Sequence, residues 1–125
     1  MSVGNISGMP PEQFKVENKK RYDDVYAHEL AHKGAAGSLG GSIVIERDAS
    51  GLVTGGHVPI TIPGLNKTNP KETLKQAQQV IDSAMAPSDP SDQDYKVAAE
   101  ARSVLAMAQE EIKNKKSGNN LDFQA

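Results

Sequence analysis

The chain has 125 residues, a formal net charge of -2 and only 4% aromatic residues. This length is typical of one domain, and the nearly balanced charge predicts neither a nucleic-acid nor a membrane partner. Because the chain contains no cysteine, disulfides, cysteine-ligated zinc and a thiol nucleophile are all excluded.

The two ends of the chain are predicted to be flexible. Residues 1–18 are polar, rich in Gly, Pro and Ser, and lack periodicity, which is typical of an arm. The first residues do not show the basic stretch and following apolar run of a secretory signal peptide. No apolar run in the sequence is long enough to span a membrane. We therefore expect a cytoplasmic domain over residues 19–115, followed by a flexible tail over 116–125.

The first elements are a helix and a hairpin. From about Asn18 to Ala36 the chain has no proline, and its only glycine is near the end, which predicts a helix. Two glycine-rich breaks follow. The β-branched residues on either side of "DASG" then predict a β-hairpin over 42–47 and 53–62. Pro59 confines the second strand to a sheet edge or marks a bulge, since proline donates no ladder hydrogen bond.

Two helices complete the domain. Asn69 is the predicted N-cap of the first, with Pro70 at its first position. Asp89 and Pro90 are assigned the same roles in the second. Each helix carries an apolar stripe, formed by Leu74, Ala77, Ile81, Ala84 and Met85 and by Val97, Ala98, Ala101, Leu105, Ala108 and Ile112. The sum is a small α+β domain: a helix, a β-hairpin and two antiparallel helices.

Chemistry-bearing residues are concentrated in the first helix, in "VYAHELAH". His28 and His32 stand four residues apart on one helical face, so their imidazoles can bind one metal ion about 2 Å from each nitrogen. Glu29 projects beside that position, where it can take a proton from a metal-bound water. Zinc suits such a site best. An H-E-x-x-H of this composition arises by chance on the order of once in 200 chains of this length.

A third ligand is needed to make the site catalytic. His57, in "GGHVP", is the only other histidine and would leave a fourth position for water. A lone histidine in a strand is, however, more often a surface residue, and Glu46 is a weaker alternative ligand. The longer motif H-E-x-x-H-x-x-G-x-x-H does not fit, because the chain has Ala35 and Ser38 at its last two conserved positions.

Two aspartates lie near the start of the last helix. Asp92 and Asp94 could hydrogen-bond to a metal-binding histidine. Their position favours the alternative, in which they cap the positive end of the last helix.

The order of these segments resembles a known family. "VYAHELAH", a glycine-rich segment, "GGHVPI" and "NPKETLKQAQQVIDSAMAPSDPSDQDYKVAAEA" follow one another in the same order as in the bacterial SprA-related family. The likeness covers about Asp24 to Glu111. It implies a zincin-like metalloprotease domain with His28 and His32 as zinc ligands and Glu29 as base. Members of the family typically carry an acidic residue where this chain has His57, and both residue types can bind zinc.

The sequence thus predicts a zinc-dependent metallopeptidase (HExxH type) acting on peptide or protein substrates. Zn2+ would be held by His28, His32 and His57, and Glu29 would activate the bound water for attack on a peptide carbonyl. The alternative is a non-catalytic metal-binding or protein-interaction module, and a third possibility is a metal-free helical adaptor. Substrate, cleavage specificity and oligomeric state stay open.

Overall fold

A computed structural model describes residues 8–124, with side chains through residue 116. The elements are α1 (Pro11–Ala36), β1 (Val44–Arg47), β2 (Val53–His57), α2 (Pro70–Ala84) and α3 (Asp92–Gln124). The predicted α+β order of a long helix, a hairpin and two helices is confirmed. Residues 1–7, the first part of the predicted arm, lie outside the described residues.

Helix α1 begins at Pro11, earlier than the predicted start near Asn18. Proline suits the first helical position because its φ is preset and the first turn needs no N–H there. Residues 11–18, predicted as part of the arm, are therefore the first turns of α1. At the other end of the chain α3 continues to Gln124, so residues 116–124 of the predicted tail are also helical. Neither segment shows the apolar period by which a helix is recognised in sequence.

The hairpin is antiparallel and shorter than predicted. Val44 pairs with His57 and Arg47 with Val53, with a register shift next to Arg47. The second strand was predicted to reach residue 62, but β2 ends at His57 because Pro59 has no N–H for the ladder. Beyond β2, the backbone N–H of Gly41 still donates to the Pro59 carbonyl at 2.8 Å.

Asn18 attaches the hairpin to α1. Its side-chain amide donates to the Gly51 carbonyl at 3.0 Å, and its Oδ1 accepts from the backbone N–H of Val53 at 2.7 Å. Leu52 and Val53 are buried at this junction. One polar side chain on α1 thus satisfies two backbone groups of the hairpin and sets its position on the helix.

Helices α2 and α3 pack on each other through small side chains, which allow a close approach. The buried residues of the two helices include Ala77, Val80, Ala84, Ala98, Ala101, Val104 and Ala108. The alanines of the two predicted apolar stripes are buried, as expected. Ile81 and Leu105 are only half-buried, however, and the adjacent Val80 and Val104 are buried instead.

The start of α3 differs from the prediction. Asn69 caps α2 as expected, accepting from the N–H of Glu72. Asp89 does not cap α3; Ser91 does. Ser91 Oγ accepts from the Asp94 N–H at 3.1 Å, while Asp94 Oδ2 accepts from the Ser91 N–H at 2.8 Å. This reciprocal capping box satisfies two N–H groups at once, which a cap at Asp89 would not do.

Gly56 lets β2 lie directly on α1. A Cβ at this position would lie 2.7 Å from Val25 Cγ1, 2.9 Å from the Val44 carbonyl oxygen and 3.3 Å from Glu29 Cγ. A side chain would therefore push the strand away from the helix at the level of Glu29.

We expect Gly56→Ala to lower the free energy of unfolding by about 1–3 kcal/mol, the cost of overpacking a close contact. Gly55→Ala is the matched control, because a Cβ at Gly55 meets nothing within 4 Å; its effect should stay within about 0.5 kcal/mol. Urea denaturation of both variants measures the difference. Equal stabilities would show that the close approach at Gly56 is not needed.

Candidate metal centre

A cleft of about 700 Å³ opens between α1, β2 and the start of α3. The first two elements provide the residues that the sequence favours as ligands or base. Asp94 in α3 and Asp89 in the loop before it add two acidic side chains. The polar side chains that line the cleft include His28, Glu29, His32, His57, Asp89 and Asp94.

Helix α1 brings three of the predicted residues together. His28 Nε2 lies 3.2 Å from His32 Nε2, as the spacing of four residues on one helical face requires. Within the described part of the chain, His28, Glu29 and His32 form one metal-capable group, whose ligand atoms all lie within 4.8 Å of one another.

His32 is locked to α2 by two reciprocal bonds. Its Nδ1 lies 2.7 Å from the Ser83 carbonyl oxygen, and Ser83 Oγ donates to the His32 carbonyl at 2.7 Å. Because a carbonyl oxygen only accepts, His32 Nδ1 must carry the hydrogen. In the neutral imidazole, Nε2 then presents its lone pair to the cleft. Only 5% of His32 is exposed.

The Nδ1 of His28 also contacts an oxygen, but this contact is longer and more exposed than that of His32. His28 Nδ1 lies 3.3 Å from Asp89 Oδ1, on an aspartate that is largely exposed. Donation from Nδ1 to this carboxylate leaves Nε2 free to face His32. Histidines that bind metals usually donate their other ring N–H to a carboxylate or a carbonyl in this way. Both imidazoles are therefore oriented as metal ligands are.

Asp94 contacts both imidazoles. Its Oδ2 lies 3.2 Å from His28 Nε2 and its Oδ1 3.1 Å from His32 Nε2, on a side chain that is 14% exposed. The sequence favoured a capping role for Asp94, and it has that role. The spacing from Ser91 to Asp94 indicates the capping box. It does not indicate that this turn of α3 faces α1.

Glu29 is buried next to the two histidines, with 6% exposure. Its Oε2 lies 3.9 Å from His28 Nε2, and within the described residues its carboxylate makes no hydrogen bond. Burial raises the pKa of the Glu29 carboxyl, while the charges of His32 and His28 oppose the shift and Asp94 adds to it. A carboxylate with a raised pKa is a better proton acceptor than an exposed one.

His57 lies in the same cleft but outside this group. Its side chain is 55% exposed, and its Nδ1 lies 3.1 Å from Glu46 Oε1, so the two alternative third ligands pair with each other. Its role as a zinc ligand stays a prediction.

Comparisons with known proteins identify a matching protein family. A family model described as the SprA-related family matches residues 12–124. Searches of curated proteins and of solved structures found no match. Among the helices described, none combines the length and the apolar character needed to cross a membrane.

We expect Ser83→Ala to lower the free energy of unfolding by about 1 kcal/mol, because it removes a buried hydrogen bond to the His32 carbonyl. Ser103→Ala, which removes a hydroxyl bonded to Ala99 on the exposed face of α3, should cost less. Chemical denaturation compares the two. An equal loss would argue that the reciprocal bond does not anchor α1 to α2.

Proposed function

Because the chain belongs to the SprA-related family, we propose that it is a zinc-dependent metallopeptidase acting on peptide or protein substrates, with a zincin-like site in the cleft. The observation that carries the proposal is the orientation of His28 and His32. Both have Nδ1 bonded to an oxygen, and both direct Nε2 into the cleft where Glu29 is buried. This orientation supports the roles of two metal ligands and an adjacent base.

The chemistry of the side chains fits zinc. Neutral imidazole nitrogens and carboxylate oxygens are zinc donors, and the chain has no softer thiolate to offer. The Nε2 atoms of His28 and His32 are 3.2 Å apart. Two lone pairs at this distance repel each other unless a proton or a cation lies between them. A dication at this position would also balance the buried Glu29 carboxylate and the partly exposed Asp94 carboxylate.

Each residue has a distinct part in peptide hydrolysis. When bound, zinc lowers the pKa of water and polarises a carbonyl. Glu29 would accept the proton of the attacking water at its carboxylate and later deliver it to the leaving amine. The Ser83 carbonyl and Asp89 would hold the two imidazoles in their orientation throughout. Burial keeps Glu29 away from bulk water and sustains its raised pKa.

We expect Glu29→Gln to retain zinc but lose at least about 100-fold in hydrolysis, since it removes the proton acceptor and keeps the shape. Glu12→Gln, on the exposed first turn of the same helix, is the control and should behave like the wild type. Zinc content after dialysis and cleavage of labelled, unfolded casein are the two measurements.

Two outcomes would count against this function. Full activity in Glu29→Gln would exclude Glu29 as the base. A wild-type protein that holds zinc but cleaves no unfolded substrate would instead support the non-catalytic metal-binding module.

Metal removal should also change stability. A ligand that binds only the folded state stabilises it by about 2.7 kcal/mol at 100 times its Kd. We therefore expect chelation to lower the melting temperature of the wild type and readdition of zinc to restore it. His28→Ala should abolish this zinc-dependent shift. A melting temperature that does not respond to zinc would favour the metal-free helical adaptor.

A further inference from the structure

We infer that Asp94 is the third protein ligand of the zinc site, so that the ion joins α1 to the first turn of α3. This inference rests on the metal-binding part of the proposed function. It replaces His57, the ligand expected from sequence, by a residue on a different element.

The first argument is geometric. His28 Nε2 and His32 Nε2 are 3.2 Å apart, and the Asp94 oxygens lie 3.2 Å from the first and 3.1 Å from the second. Ligand atoms about 2.0–2.2 Å from a tetrahedral zinc ion lie about 3.3–3.6 Å from one another. One Asp94 oxygen faces each imidazole, and the two nitrogens and the carboxylate are separated by nearly these distances. One further position is left for water, as a catalytic site requires.

The second argument is electrostatic. When hydrogen is on Nδ1 of each neutral imidazole, the two Nε2 atoms and the Asp94 carboxylate direct only lone pairs at one another. A dication placed between them would be attracted by all three groups at once. A site of two imidazoles and one carboxylate is also a common donor set of catalytic zinc.

The third argument concerns how Asp94 is held. The Ser91 backbone N–H donates to Asp94 Oδ2 at 2.8 Å, and Ser91 Oγ accepts from the Asp94 N–H. This capping box orients the carboxylate before any metal binds. In the described part of the chain α3 packs mainly on α2, so the contacts of Asp94 with His28 and His32 link the start of α3 to α1.

His57 meets none of these conditions. More than half of its side chain is exposed, and its Nδ1 is engaged with Glu46, which is itself exposed. It lines the cleft together with Gly55 and Gly56 on β2. A ligand at a solvated rim would contribute less to binding than one that the fold already orients.

The experiment measures zinc affinity by competition with a chromophoric chelator, using the full chain and five variants. Asp94→Asn and Asp94→Ala remove the carboxylate. We expect both to weaken zinc binding about 100-fold or more. Asp92→Asn, an exposed acid in the same helical turn, and His57→Ala should bind within about twofold of the wild type. Ser91→Ala separates the capping of α3 from metal ligation by Asp94. It should lower the melting temperature of the metal-free protein, because the cap is lost, but it keeps the Asp94 carboxylate.

Cobalt substitution provides a readout that does not depend on activity. The wild type should show the intense visible bands of four-coordinate Co²⁺, and Asp94→Asn should weaken or shift them. Asp92→Asn and His57→Ala should leave the spectrum unchanged. A structural effect of Asp94 on helix stability alone would not move these bands in a protein that stays folded.

The outcomes distinguish the two proposals. Wild-type affinity and spectrum in both Asp94 variants would overturn the inference, as would a loss in His57→Ala of the size expected for a ligand. If the Asp94 variants lose zinc while the wild type cleaves no peptide, Asp94 is a ligand and the peptidase proposal fails. A wild type that binds no zinc overturns both.

Discussion

The site depends on the paired bonds between His32 and Ser83. The Ser83 carbonyl accepts from His32 Nδ1, and the Ser83 hydroxyl donates to the His32 carbonyl, both at 2.7 Å in a buried position. One pair of residues thus joins α1 to α2 and fixes the tautomer of the imidazole. Because α3 packs mainly on α2, the same bonds help to place the first turn of α3 relative to α1. Without them the His32 ring would have no fixed direction, and Asp94 would have no fixed partner.

The environment of Glu29 depends on a second constraint, the absence of a side chain at Gly56. The strand backbone closes over α1 at this level and buries the carboxylate, which raises its pKa. Asn18 holds the hairpin at the same time from one end, through two bonds to its backbone. The histidines and the glutamate are therefore contacted by residues of β2, α2 and α3. Contacts from several elements hold such side chains in one geometry.

Much of this protein follows from local patterns. The α1 histidines, their shared face and the adjacent Glu29 follow from a spacing of four residues, which any α-helix converts into proximity. The hairpin turn and the Asn69 cap also follow from residue types with strong local preferences. The helix starts were predicted less well. The start of α1 at Pro11 was missed because the first turns are polar and show no apolar period. At the start of α3, Asp89 and Ser91 are both residue types that cap helices, and Ser91 is the cap because it forms a reciprocal pair of bonds with Asp94.

The element order and the HExxH group could be predicted from the sequence, because both arise from interactions between residues close together along the chain. The residue that meets that group from outside the helix depends instead on how the elements pack. His57 and Asp94 are separated from His32 by long segments, and their approach depends on where Pro59 ends the strand and on how α3 packs against α2. Pattern and spacing carry no information about such packing. The structure leaves His57 at the exposed rim beside Glu46 and brings Asp94 within 3.2 Å of both imidazoles.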